Sequence, residues 1–377
     1  MSNNNNDLGE DGHNSPKPGA HSYEEILSQP QCWEACLSGL KANGTLKDVE
    51  SQFGACENWI FIGCGSSYYV ALAAASTMKA LTGRLASAIP ASEILLYPEL
   101  VLPAKPFVPV FISRSGQTSE VLKAAEALRE RGIPSLAISC APGQLLEKLA
   151  TLTLTLPADE QSTVMTRSFT SMLLALQFLA GRIAGNQAYC NELLRMPQLA
   201  PAMLSEIPER IHKFTSHRAF DSYVCLGHGP FYGLACEYAL KLNEMSLSVS
   251  QVFHSLEFRH GPKSAVTRET LLTFLLSEHG YEAECDLLEE MKVLGGTTFV
   301  ITNHATPRVR AASDMLVELR SPLGEFARLA PSLVPGQLLA LNMGLKKGLD
   351  PDSPRYLTRS VILESDSKVG SKPEPVA

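Results

Sequence analysis

Trp59-Ile-Phe-Ile-Gly63, followed at once by Cys64-Gly65-Ser66-Ser67, decides how this chain folds. A short run that is apolar at every position and stops at a glycine describes a strand buried on both faces. The small residues after it form a tight turn, and an apolar helix follows over about 67–81. The same grammar recurs downstream. Pro109-Val-Phe-Ile-Ser113 reads as a second strand, with a turn and a helix over 120–131 behind it. Ser135-Leu-Ala-Ile-Ser139 is a third strand and 152–156 a fourth. Strands that alternate with helices and lack a polar face predict an α/β fold with a parallel sheet covered on both sides.

The second half repeats the pattern. Tyr223-Val-Cys-Leu-Gly227 starts a strand, a glycine-rich turn and a helix reaching about 246; strands follow at 272–276 and 298–302, with a helix near 283–294 between them. Gly63 and Gly227 stand 164 residues apart, as do Ser113 and Ser277, and Gly116 and Gly280. One offset shared by turns and strands predicts an internal duplication. The resulting plan has a disordered tail over 1–21, N-terminal helices over 22–50 with a break at Pro30, and two α/β domains over 51–200 and 201–350 that meet near 195–215. A C-terminal tail covers 351–377.

Composition narrows the function. The 377 residues suit two domains at roughly 150 residues each. They are 45% hydrophobic and 19% charged, a poor match to a disordered chain or a long coiled coil. A net charge of −7 argues against nucleic acid as a partner, because that footprint is basic. The longest greasy stretch, Met172 to Ala180, is interrupted by Gln177 and falls well short of the roughly 18 residues a membrane span needs. The first residues are Asn-rich and acidic, without the apolar core of a signal peptide, so no membrane partner and a cytoplasmic location are expected. The nine cysteines include no CxxC pair and read as small buried residues, with no metal site.

In parallel α/β sheets ligands bind beyond the carboxyl ends of the strands. Two first-half turns qualify: Gly63-Cys-Gly65-Ser66-Ser67 and Ser113-Arg114-Ser115-Gly116-Gln117-Thr118. Each offers hydroxyls and backbone N–H groups at a helix start, a combination suited to phosphate. Neither is a P-loop, and Tyr68 stands where GxGxxG needs its last glycine. The duplicated turns are a control. Gly227-His-Gly229-Pro230-Phe231 and Ser277-Glu278-His279-Gly280 have lost most hydroxyls, and Glu278 repels an anion. Capping alone would keep serines in both copies, so their concentration in the first favours a phosphate site there. A second cluster lies at Lys241 and Glu244, which share a helix face with Glu237, and at Glu257 and His260. Solvated ion pairs explain that spacing equally well. A carboxylate and an imidazole beside a phosphate pocket are also the usual partners for proton transfer next to a carbonyl.

Taken together, GCGSS, SRSGQTSE, VMTRSFTS and LEFRHGPKS, spread over about 55–364, resemble the tandem sugar-isomerase (SIS) domain family. The resemblance extends to the isomerase half of glucosamine-6-phosphate synthase and is closer to stand-alone amino-sugar-phosphate deaminases and isomerases. It implies a flavodoxin-like, doubly wound sheet in each half and a dimer with its site at an interface. It also implies phosphate contacts from Ser67, Ser113, Arg114, Ser115 and Thr118, and sugar contacts from Gly65, Ser66, Thr163, Val164, Glu257 and Arg359. Lys241 would touch the sugar and Glu244 would move the proton between C1 and C2. His260, reaching in from the other subunit, would open the ring, and the C-terminal tail would close over the site.

Three departures stand out. Arg359 replaces the family's tail lysine and cannot form an imine. Met165 replaces a loop serine, and Arg114 a glutamine, where a cation would add a charge-assisted contact to phosphate. No glutamine-hydrolysing segment precedes the first unit, which points to the catabolic direction. The expected activity is conversion of glucosamine 6-phosphate and water to fructose 6-phosphate and ammonia, without cofactor or metal. The alternatives are a galactosamine- or tagatose-phosphate isomerase, a fructosamine-phosphate deglycase, or a sugar-phosphate sensor without activity.

Overall fold

The computed structural model describes residues 17–42 and 44–363. The tail expected over 1–21 therefore lies outside the described residues as far as residue 16, and its last two residues already belong to helix Ala20–Leu27. That helix, Gln29–Ala42 and Thr45–Phe53 precede the first strand. Pro30 sits in the opening turn of the second, where its missing N–H costs nothing.

The first sheet contains β1 (Asn58–Gly63), β2 (Leu85–Pro90), β3 (Val108–Ser113), β4 (Leu136–Ser139) and β5 (Leu152–Thr155). The second contains β6 (Ser222–Gly227), β7 (Ser250–Phe253), β8 (Thr270–Leu275), β9 (Thr297–Thr302) and β10 (Met315–Glu318). All pairings are parallel. The orders are β2-β1-β3-β4-β5 and β10-β9-β8-β6-β7, so the second is the first read from its opposite edge. Each half is a doubly wound sheet, and its direction switches between β1 and β3 or between β6 and β8.

The strands read from sequence are the central, buried ones and one edge strand, β5, which is only partly buried. Three strands escaped that reading: β2, β7 and β10. All sit at sheet edges, and β2 alternates exposed and half-buried positions until Ile89. An edge is covered on fewer sides and needs no continuous apolar run. The expected domain junction near 195–215 is occupied by helices Gln187–Leu204 and Ile207–Ser216.

One apolar core runs through both sheets, from Phe61 and Ile112 to Cys225 and Phe299. Its centre is the crossing of helices Ser66–Thr82 and Pro230–Ser246. At Gly233 an added Cβ would stand 2.7 Å from the Tyr69 carbonyl oxygen and 2.9 Å from the Ala73 nitrogen, so the two backbones touch there. The N-terminal helices are part of the same body. Trp33 is fully buried and donates its Nε1–H to Thr170 Oγ1 at 2.8 Å; Gln29 joins Thr170 to Gln337 of helix Leu329–Lys346. Among the described residues no helix is long and apolar enough to cross a membrane.

Candidate active site

The switch point of the first sheet brings the two predicted turns to one cleft. Gly63 ends β1 because a Cβ there would lie 2.6–2.7 Å from the Ser67 carbonyl group. Gly65 holds φ at 55°, in the region that favours glycine, and releases the chain into helix Ser66–Thr82. After β3, Gly116 at φ 63° turns the backbone; its N–H donates to Ser113 Oγ at 3.2 Å. Ser113 is thereby buried inside its own turn. Ser67, Ser115 and Thr118 border the open cleft, as do Gly65 and Ser66.

The second half supplies the opposite wall. Helix Pro230–Ser246 projects Glu244 into this same cleft. Behind it, Lys241 is fully buried between the carboxyl groups of Glu244 and Glu237: its Nζ pairs with Glu244 Oε2, lies 3.3 Å from Glu237 Oε1 and donates to Ser66 Oγ at 3.4 Å. Ser66 Oγ in turn donates to Glu237 at 3.1 Å, which ties the network back to the first turn. Burial pushes the Glu237 carboxyl up to about 8, against the opposing pull of Lys241. Burial alone would discharge Lys241, but its two carboxylate neighbours outweigh it and raise its pKa. The arrangement holds an ammonium against the Glu244 carboxylate in a site screened from water.

Residues 159–166 form the third wall, where Thr163, Val164 and Met165 border the cleft. Two buried glutamates shape this loop, and neither has a local signal in the sequence. Glu25, from the first helix, accepts from Gln161 N–H at 2.5 Å and from the Ser162 hydroxyl. Glu160 accepts from Thr166 N–H at 2.6 Å, Ser168 N–H at 3.0 Å and Ser168 Oγ at 2.6 Å. The chain after helix Leu329–Lys346 supplies the fourth wall: Leu357 to Val361 return from the second half to cover the first-half turns.

Arg114 is held from within the chain. It borders the cleft, yet its guanidinium donates to Glu160 Oε2 at 3.2 Å, to the Thr163 carbonyl at 2.9 Å and to the Arg359 carbonyl at 2.6 Å. Arg359 itself turns its side chain to Asp159, at 3.1 Å. Glu257 and His260 lie in and just after the 3-10 turn Ser255–Arg259, exposed and away from this cleft. A single chain does not bring them to Glu244.

The duplicated turns of the second half form a pocket too, but their donors are already occupied from within the chain. Glu284 accepts from Ser277 N–H at 2.7 Å and Oγ at 2.9 Å, and lies 2.9 Å from His228 Nδ1. Glu325 accepts from Glu278 N–H and lies 2.7 Å from His279 Nδ1, while Glu278 pairs with Arg328. Carboxylates of the protein thus stand where an anion would sit. Glu284 is the 164-residue counterpart of Glu120, which makes no such contact.

Comparison with known proteins places the fold in a family. The chain matches the SIS domain over residues 54–182 and 221–342. The isomerizing glutamine–fructose-6-phosphate aminotransferase of Pyrobaculum aerophilum is 28% identical over 352 residues, which cover 90% of this chain and 57% of that protein. The chain therefore spans little more than half the length of the curated relatives it matches. Glucosamine-6-phosphate deaminase from Thermotoga maritima superposes with a TM-score of 0.75 at 29% identity, covering 91% of this chain and 100% of that one. Tagatose-6-phosphate ketose/aldose isomerase from Escherichia coli shares the fold, with a TM-score of 0.80 at 24% identity, covering 93% and 97%.

Proposed function

This chain belongs to the SIS domain family, and from that membership we propose that it is a phosphosugar-processing enzyme: an amino-sugar-phosphate deaminase that converts glucosamine 6-phosphate and water to fructose 6-phosphate and ammonia. One observation carries the reading. Glu244 of the second half borders the same cleft as Ser67, Ser115 and Thr118 of the first. An anion-binding turn and a carboxylate base thus face one ligand-sized space, as a sugar with its phosphate and its C1–C2 unit at opposite ends requires. The likeness to the Thermotoga maritima deaminase over the whole of that chain favours the deaminase direction.

The chemistry follows from the geometry. The phosphate rests on the hydroxyls and N–H groups of the two turns. In the open-chain sugar, Glu244 takes the proton from C2 while O1 gains one from water, leaving an enolamine; Glu244 then returns its proton to C1 as the nitrogen gives one up to water. The C2 imine so formed adds water and expels ammonia. Lys241, buried behind Glu244, pairs with its carboxylate rather than touching the sugar, and Glu237 beneath it limits the charge of the cluster. The imine belongs to the substrate, so the route needs neither a lysine at position 359 nor a metal or cofactor. Ring opening falls to His260, whose exposed position suits donation into the cleft of a second copy of the chain.

The test is an ammonia and ketose readout over a panel of hexosamine and hexose phosphates, with the wild-type chain and Glu244→Gln. The variant is expected to lose at least about 10³-fold in kcat while glucosamine 6-phosphate still binds. Ammonia release near the wild-type rate from Glu244→Gln removes the assignment. Turnover of tagatose or fructosamine phosphates alone redirects it to an isomerase or a deglycase. Tight fructose 6-phosphate binding with no turnover at all makes the protein a sensor.

A further inference from the structure

We propose that Arg114 is a positioning residue that fastens the C-terminal segment over the cleft by holding the carbonyl of Arg359, rather than a phosphate ligand. The proposal rests on the reading of this cleft as the phosphosugar site. A guanidinium has five donors in one plane and no freedom to lose its charge. Here those donors reach three separate segments: Glu160 Oε2 at 3.2 Å, the Thr163 carbonyl at 2.9 Å and the Arg359 carbonyl at 2.6 Å. The Arg114 side chain is only 8% exposed and its carboxylate partner is fully buried. Swinging the guanidinium toward a phosphate on the turn would strand Glu160, a buried charge. Glu160 is itself immobilised by Thr166 and Ser168, so the acceptor does not follow.

The tail beyond Arg359 uses the same end of the turn. Ser119 N–H, at the start of helix Ser119–Glu130, donates to the Val361 carbonyl at 3.1 Å, and Leu363 N–H donates to Ser119 Oγ at 2.9 Å. The segment therefore crosses the mouth of the cleft as a strap. Its grip is mainly through main-chain carbonyls, which do not depend on the tail's own side chains. The Arg359 ion pair with Asp159 is solvent-exposed on both sides and holds little. Arg114 is buried and reaches the strap from the floor of the site, so one residue ties the phosphate turn, the sugar loop and the strap together. Opening the strap for ligand exchange means releasing the Arg359 carbonyl.

That carbonyl belongs to the bond trypsin cuts after Arg359, which makes the latch directly readable. The bond after Arg355, beside the fully exposed Tyr356, is an internal reference that Arg114 does not touch. We would digest the full chain without ligand and follow early fragments 1–355 and 1–359 by mass for wild type, Arg114→Gln and Arg114→Lys. The ratio of cleavage at Arg359 to cleavage at Arg355 should rise about tenfold in Arg114→Gln, with Arg114→Lys between. With glucosamine 6-phosphate, KM of Arg114→Gln should rise about tenfold with a smaller change in kcat. If Arg114→Gln does not fold, Arg114→Lys carries the test alone. An unchanged cleavage ratio overturns the proposal, including when ligand affinity falls, because that pattern is a phosphate contact. If the ratio rises but the wild-type chain binds no hexose phosphate, the latch stands and the functional reading falls.

Discussion

Glu237 is a carboxyl group with no water around it, one ammonium beside it and a second carboxylate close by. Its Oε1 is bonded, while its Oε2 has no hydrogen-bond partner among the described residues. Burial holds its pKa near 8, far above the ordinary carboxylate value. The folded state therefore keeps a proton that the unfolded chain has already released in mildly acidic solution. Stability from this group is complete below the ordinary carboxylate pKa and declines as pH rises through about 8. Urea melts of wild type from pH 5 to 9 should show that decline, and Glu237→Gln should flatten it and gain on wild type at the alkaline end. Parallel curves for the two proteins would mean the carboxyl is ionised throughout. The i, i+4 and i+7 spacing of Glu237, Lys241 and Glu244 was legible in the sequence. Their burial was not, because the cover comes from Ser66 and the opposite helix, some 170 residues away.

Elements here are set by where backbone must pass close to backbone. The turn from β1 into helix Ser66–Thr82 and its copy from β6 into Pro230–Ser246 have matching glycines: Gly65 at φ 55°, ψ −129° and Gly229 at φ 52°, ψ −127°. Gly63 and Gly227 would each drive a Cβ to 2.6 Å from the next helix's first-turn carbonyl group. Gly63→Ala should cost on the order of 2–4 kcal/mol in denaturant melts, since both sides of the clash are backbone. Gly39, exposed in helix Gln29–Ala42 with nothing within 4 Å of an added Cβ, is the control. There alanine should stabilise by roughly 0.5–1 kcal/mol. Equal effects at the two sites would show that glycine at 63 is not required by contact. Central strands and these turns could be read from sequence because each satisfies its own local demand. Three of the four edge strands, β2, β7 and β10, carry no such demand and appear only when a neighbour pairs with them; the fourth, β5, was legible from its alternating Leu152, Leu154 and Leu156.

For the molecule as a whole, the decisive contact is Gly233 against Tyr69 and Ala73, which sets the distance between the Gly63–Ser67 turn and Glu244. Gly233→Ala should push the two helices apart and lower kcat/KM by about tenfold or more, beyond what its loss of stability explains. Full activity at a temperature where the variant is folded would contradict that. The position of His260 gives a second test. Glu244→Gln and His260→Ala chains, each inactive, should recover about a quarter of wild-type activity when refolded together, because half the dimers then hold one intact site. No recovery in mixed dimers would place ring opening within one chain.

Local chemistry written in the sequence was enough to determine two parallel α/β halves, the 164-residue offset between them and the hydroxyl-rich turns of the first half. These follow from hydrophobic periodicity, glycine at crowded turns and hydroxyls at helix starts, all of which act over a few residues. The partners of the charged groups were decided by the tertiary structure. It buried Lys241 between Glu237 and Glu244, set Glu284 and Glu325 against the duplicated turns, and joined Arg114 to Glu160 and the returning tail. Charge pairing inside a protein depends on which segments exclude water together, and that is a property of the packed chain rather than of any stretch of it.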